Sequence, residues 1–162
     1  MDTQIFEKRF NQYIEDNALV EAGQKILLTV SGGVDSMVML NLFVRCGYNV
    51  GVAHCNFQLR GEESEEDEAM VLAEAEKLGI PAYNRRFATQ EEMIKTGESV
   101  QMTARRLRYA WFNELCNEHG YDRIALAHHA DDSIETFFIN LLRGTGLKGL
   151  TGINVTNGKI IR

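Results

Sequence analysis

Apolar positions along the chain switch repeatedly between a helical period and short continuous runs, and that switching predicts the architecture. Ile5, Phe6, Phe10, Tyr13 and Ile14 fall on one helical face and predict an N-terminal helix. Ile26, Leu27, Leu28 and Val30 follow without alternation, as expected of a strand covered on both faces. Met37, Val38, Leu40, Leu42, Phe43 and Val44 then continue as a nearly all-apolar helix. Further strands are expected at 48–53, 82–87 and 123–127, separated by helical patterns at 64–78 and 98–118. The second of those helices carries a stripe of Val100, Ala104, Leu107, Trp111 and Leu115. A last helix over 132–142 aligns Ile134, Phe137, Phe138, Leu141 and Leu142 at spacings of three and four. Asn157 and Gly158 signal a turn, and 159–162 reads as the start of another strand. The order is that of a doubly wound, mostly parallel α/β sheet behind an N-terminal helix, a Rossmann-like arrangement whose ligands gather at the carboxyl ends of the strands.

Composition narrows this picture. A chain of 162 residues with 44% hydrophobic content suits one domain with an ample core, over 1–162. The abrupt end in a nascent strand suggests a catalytic domain cut from a longer protein. A net charge of −6 argues against nucleic-acid binding by general electrostatics, so any RNA contact must be local or come from elsewhere. Cys46, Cys55 and Cys116 are scattered with no Cys-x-x-Cys, which indicates neither a disulfide framework nor a zinc or iron–sulfur site. With no leader pattern and no apolar run of membrane-spanning length, a cytoplasmic protein without membrane contact is expected.

Candidate chemistry begins at Ser31-Gly-Gly-Val-Asp-Ser36, between the first strand and its helix. Glycines there let the backbone turn and bring N–H groups against a ligand, and the helix N-terminus adds partial positive charge. Ser31 and Ser36 contribute hydroxyls, while Asp35 would repel a phosphate unless a divalent cation bridged the two, so the loop predicts phosphate plus magnesium. No Gly-Lys-Ser/Thr is present, so this is not a Walker A loop. A Ser/Gly turn that merely caps a helix is the plain alternative.

Other clusters fall at later strand ends. His54 is placed to meet an adenine, or is only a hydrogen-bonded structural histidine, and Arg60 suits a phosphate or RNA. Six carboxylates between Glu62 and Glu68 read as the solvated start of a helix and are assigned no chemistry. Arg105 and Arg108, three apart, share one helix face and suit phosphate, although exposed arginines on helices are common. The segment 127–136 offers His128, His129, Asp131, Asp132 and Glu135. Asp132 with Glu135 imitates a capping box, but capping leaves the histidines unexplained, so a ligand site is favoured over a cap and over zinc.

Ser31 to Ser36 resemble the pyrophosphate loop of the N-type ATP pyrophosphatases, within the adenine nucleotide alpha hydrolase type of fold. Together with the segments 56–61, 104–109, 128–136 and 143–150, the chain resembles the N-terminal PP-loop domain of bacterial tRNA(Ile)-lysidine synthetases, with tRNA-binding domains to follow. The resemblance implies ATP-dependent adenylation of the wobble cytidine of tRNA(Ile) with anticodon CAU. Free L-lysine then displaces AMP to form lysidine. It further implies that Ser31, Gly32, Gly33, Val34, Asp35 and Ser36 hold phosphates, with Asp35 on Mg2+. His54, Arg143, Gly144 and Gly146 would lie about the nucleotide, with 143–150 as a glycine-rich lip. Asp132 and Glu135 would hold lysine, Arg108 and His128 would act on the adenylated intermediate, and Arg60 and Arg105 would face RNA. At Phe57 the chain departs from the family, which often has a second histidine there, and the resemblance gives that position no chemistry. A homodimer is left open. Two rival readings remain: another PP-loop pyrophosphatase of the thiolation or amidotransferase type, and a non-catalytic adenine-nucleotide-binding module. Thiolation is disfavoured by the missing cysteine pairs, and the module by the second polar cluster, for which a sensor has no use.

Overall fold

The computed structural model describes residues 3–127 and 155–162. Its elements run α1 (Thr3–Asp16), β1 (Lys25–Thr29), α2 (Val34–Arg45), β2 (Asn49–Asn56), α3 (Glu62–Lys77), β3 (Ala82–Arg86), α4 (Thr89–Thr96), α5 (Val100–His119), β4 (Arg123–Leu126), β5 (Thr156–Asn157) and β6 (Ile160–Ile161). One six-stranded sheet has the order β3-β2-β1-β4-β6-β5, and every pairing is parallel except β5 with β6. The expected helix over 132–142 lies outside the described residues.

Strand β1 is buried on both faces, which is why its apolar run does not alternate. Ile26, Leu28 and Val30 point to one side, into a core with Ile14 of α1, Leu40 and Phe43 of α2, and Val71 and Ala75 of α3. Leu27 points to the other side, into a core with Trp111, Phe112, Leu115 and Cys116 of α5. Helices therefore cover both faces, as the doubly wound reading requires.

Two differences from the sequence expectation have clear causes. Strand β2 runs to Asn56 rather than stopping at residue 53, because Cys55 and Asn56 pair with Arg85 and Arg86 of β3. Helix α4 was not anticipated: Thr89 is its one buried residue, so no apolar stripe announces it. The turn at Asn157 and Gly158 forms as expected, joining β5 to β6 with Gly158 at φ 60°.

The acidic run opening α3 is not uniformly solvated. Ser64, Glu68, Val71 and Ala75 form the buried stripe of α3. Glu68 accepts hydrogen bonds from Asn56 Nδ2 at 2.7 Å and from Arg86 Nε at 3.0 Å and Nη2 at 2.9 Å. The Arg86 guanidinium, helped by Asn56 against the opposing effect of burial, holds the Glu68 carboxyl below its usual pKa. A carboxyl lowered by folding contributes stability above its unfolded pKa and loses it as pH falls through the folded value. Glu68→Gln should therefore cost on the order of 1.5 kcal/mol at pH 7, the low end for a charged hydrogen bond because Arg86 is half exposed. In denaturant titrations the gap between wild type and variant should close below about pH 4, the ordinary range of a glutamate. A gap that stays constant with pH would refute this.

Candidate functional site

The chain leaves β1 towards β2 on one side and reaches β4 on the other, so the direction of winding switches at the carboxyl end of β1. A cleft of about 580 Å³ opens there. Its walls come from the loop after β1, the ends of β2 and β4, the start of α3 and the inward face of α5.

In the loop the two glycines differ. Gly32 sits at φ +97°, and a Cβ on it would lie 2.8 Å from Asp67 Oδ1 of α3, so both conformation and space exclude a side chain. Gly33 has φ −68° and ψ 157°, extended backbone open to any residue, and its Cβ would meet only Ser31 Oγ at 3.5 Å. The loop is braced from within. Ser36 Oγ donates to Gly33 O at 2.8 Å and accepts from Ser31 N at 3.2 Å, while Ser31 Oγ accepts from Gly33 N at 3.3 Å. Ser36 is buried by this work, whereas Ser31, Val34 and Asp35 stay exposed on the cleft wall. Gly33 is the N-cap of α2 and provides no side-chain cap, so the positive end of the helix faces the cleft without a side chain of its own on it.

The cationic groups sort by what holds them. Arg60 is committed to acids of α3, with Nη2 2.7 Å from Asp67 and Nη1 3.7 Å from Glu63. Arg105 and Arg108 both line the cleft, as their three-residue spacing predicts, whereas Arg106 turns away to Glu98 at 3.0 Å and Glu92 at 3.5 Å. Each cleft arginine lies over an aromatic ring, Arg105 5.0 Å from the Tyr109 centroid and Arg108 5.2 Å from that of Phe57. Burial pushes the Cys55 thiol up to about 12 against the influence of Arg108, so it is a neutral contact and not a nucleophile.

His54 belongs to β2 and not to the loop after it. Its Nδ1 lies 2.8 Å from Val30 O, and since a carbonyl only accepts, Nδ1 carries a proton and donates it. It is 2% exposed yet lines the cleft, so the structural role is fulfilled while contact with a ligand remains open to it.

The structure thus brings Ser31, Gly33, Val34, Asp35, Ser36, His54, Arg60, Arg105 and Arg108 to one cleft, with Gly32 behind the loop against Asp67. His128, Asp132, Glu135, Arg143, Gly144 and Gly146 lie outside the described residues. Asp67 was missed because it was read as part of a solvated acidic run; its position three before Met70 and four before Val71, on the shoulder of the apolar stripe, was the available signal. Cys55, Phe57 and Tyr109 also line the cleft, and none was assigned a role from sequence because none is a charged or hydroxyl group at a strand end.

The contrast between the glycines is testable without any ligand. Gly32→Ala should lower unfolding stability by about 1–3 kcal/mol through backbone strain and the clash with Asp67. Gly33→Ala should stay within about 0.5 kcal/mol of wild type. Equal losses measured by denaturant titration would show that the loop is not shaped in this way.

Comparison with known proteins agrees with this geometry. A model of the PP-loop domain family matches residues 2–162. The tRNA(Ile)-lysidine synthase of Chlorobaculum tepidum is 47% identical over 160 residues, covering 96% of this chain and 48% of that protein. The synthase of the same name from Bacteroides thetaiotaomicron is 44% identical over 158 residues, covering 98% of this chain and 37% of its own. This chain therefore spans about half or less of the length of these curated relatives. Among solved structures, the NH3-dependent NAD synthetase of Campylobacter jejuni superposes with a TM-score of 0.64 at 19% identity, over 85% of this chain and 61% of that one. The NMN synthetase of Francisella tularensis gives 0.61 at 17% identity, over 80% and 56%. These two establish the likeness of fold alone. With a glycine loop and an uncapped helix at the switch point of a doubly wound sheet, and a family match along nearly its whole length, the chain belongs to the PP-loop domain family.

Proposed function

We propose that this chain is the ATP-using domain of a tRNA(Ile)-lysidine synthase. What carries the reading is one cleft in which a braced phosphate loop faces two arginines held without a carboxylate partner among the described residues. The relatives named above, 44–47% identical, supply the reaction class.

In this reading the first-turn N–H groups of α2 and the Ser31 hydroxyl receive the β and γ phosphates of ATP. The C2 oxygen of the wobble cytidine, in the CAU anticodon, attacks the α phosphorus and pyrophosphate leaves. Lysine nitrogen then attacks C2 of the base and AMP departs. Arg108 and Arg105 offer in-plane N–H donors to the charge that develops on the phosphoryl oxygens. His128 assists proton transfer, and Asp132 and Glu135 pair with the ammonium groups of lysine, by the family resemblance. Arg143, Gly144 and Gly146 belong to the segment that would cover the nucleotide.

Magnesium fits the donor set. Asp35 brings hard carboxylate oxygens to the cleft wall, whereas Asp67 on the same cleft is paired with Arg60. Among the described residues no three His, Cys, Asp or Glu side chains cluster to hold a metal by themselves, which suits a cation shared between a carboxylate or two and substrate phosphates. When bound, such an ion supplies charge neutralisation at the phosphoryl oxygens. No described helix is long and apolar enough to cross a membrane, and this reading places the protein with tRNA in the cytoplasm.

Asp35→Asn should reduce tRNA-dependent pyrophosphate release by the complete protein about a hundredfold or more, the loss expected from a few kcal/mol of metal-mediated stabilisation. The unfolding midpoint should stay unchanged, because Asp35 is exposed. ADP and inorganic phosphate as products would overturn the reading. The lysine subsite is tested separately. Asp132→Asn and Glu135→Gln should each raise the lysine concentration needed by roughly ten- to a hundredfold, the loss of a charge-assisted bond of about 1.5–3 kcal/mol, with little change in ATP dependence. Should these carboxylates be no more than helix caps, asparagine would serve nearly as well and the lysine requirement would not move.

A further inference from the structure

Most arginines whose partners are on view are matched to acids: Arg45 with Glu7, Arg60 with Asp67, Arg85 with Glu114, Arg86 with Glu68 and Arg106 with Glu98. Arg108 is not. Among the described residues no carboxylate lies within ion-pair distance of it, and its guanidinium carbon lies over the Phe57 ring, 5.2 Å from the centroid. That ring is fixed in turn. It stacks on Phe87 at 5.2 Å with 17° between the planes, and Phe87 meets Trp111 edge-on at 6.0 Å. The backbone on both sides is tied as well, Thr89 Oγ1 donating to Phe57 O and Gln58 Nε2 donating to Phe87 O, each at 2.9 Å. Trp111 and Arg108 lie on the same helix, so the stack starts and ends on α5 and passes through Phe57, just after β2, and Phe87, just after β3.

We propose that Phe57 is a positioning residue for Arg108, holding the guanidinium over its ring without a second charge, so that N–H donors remain available to a phosphoryl anion in the cleft. A carboxylate in the same place would take two of those donors and neutralise the charge. An aromatic face attracts the cation through its quadrupole, takes up no carboxylate-type pair of donors, and needs no second charge in the site. Arg105 on Tyr109 repeats the arrangement 5.0 Å from its ring centroid, which makes aromatic support a shared property of the two cleft arginines of α5. The proposal rests on the reading of this cleft as the place where ATP reacts, and it adds a residue to which no chemistry was assigned.

The test is a double-mutant cycle on tRNA-dependent pyrophosphate release by the complete protein, with kcat and KM for ATP measured separately. Phe57→Leu should lower the same kinetic parameter as Arg108→Ala, by about three- to thirtyfold. Phe57→Tyr, which keeps the face, should stay within about twofold of wild type. In the Arg108→Ala background, Phe57→Leu should have almost no further effect. A penalty for Phe57→Leu that is the same with and without Arg108 would overturn the proposal, since it would mark a packing defect. Denaturant titration accompanies each variant, and Phe57→Met, flexible and lacking a ring, replaces Leu if that variant does not fold. Should Arg108→Ala leave turnover intact while Asp35→Asn abolishes it, the positioning role falls and the cleft reading stands. If wild type releases no pyrophosphate with tRNA, both fall.

Discussion

Strand β1 is hydrogen-bonded to parallel partners along both edges and packed on both faces, and the rest of the structure follows from that confinement. A chain leaving such a strand has one way out, past its carboxyl end, and must turn at once to reach α2 on one face. The turn is sharp enough to require φ +97° at Gly32, in space closed off by Asp67. It sets α2 with its N-terminus on the cleft and no side chain to cap it. The loop proposed to receive phosphate is therefore a consequence of the winding, and the serine hydrogen bonds hold it in that shape.

A chain with a net charge of −6 also has to build a locally cationic cleft. Two devices accomplish it. The acids that open α3 are partly consumed by arginines, Glu68 by Arg86 and Asp67 by Arg60, so their charge is answered close to where it arises. Arg105 and Arg108 are instead supported by aromatic rings, which add attraction without adding charge. One strand end serves both: β2 extends past Ala53 through Cys55 and Asn56, delivering Phe57 to the cleft and Asn56 to the buried Glu68.

Much of this was legible in the amino-acid order, for reasons that are local. Continuous apolar runs and helical stripes report burial directly, so the sheet, five of its strands and the helices with strong stripes could be named in advance. The glycine loop between a strand and a helix was readable because backbone turning is a property of the residue itself. His54 was legible only as a candidate, since being at a strand end and being inside a strand differ by the pairing of Cys55 with Arg85, a contact across thirty positions of chain. Helix α4, polar on nearly every face, left no periodic trace.

Residue types and their periods thus determined the class of fold, the place of the loop and the shared face of Arg105 and Arg108, because each depends on neighbours within a turn or two. Tertiary structure alone decided which glycine is constrained, for Gly32 and Gly33 are identical until Asp67 packs on one of them. It alone decided that Glu68 is buried among a run of exposed acids, that Arg60 is already paired, and that Phe57 carries Arg108. Each of these is a contact between elements that only the packed sheet brings together, and a charge or a ring takes its role from the group that faces it.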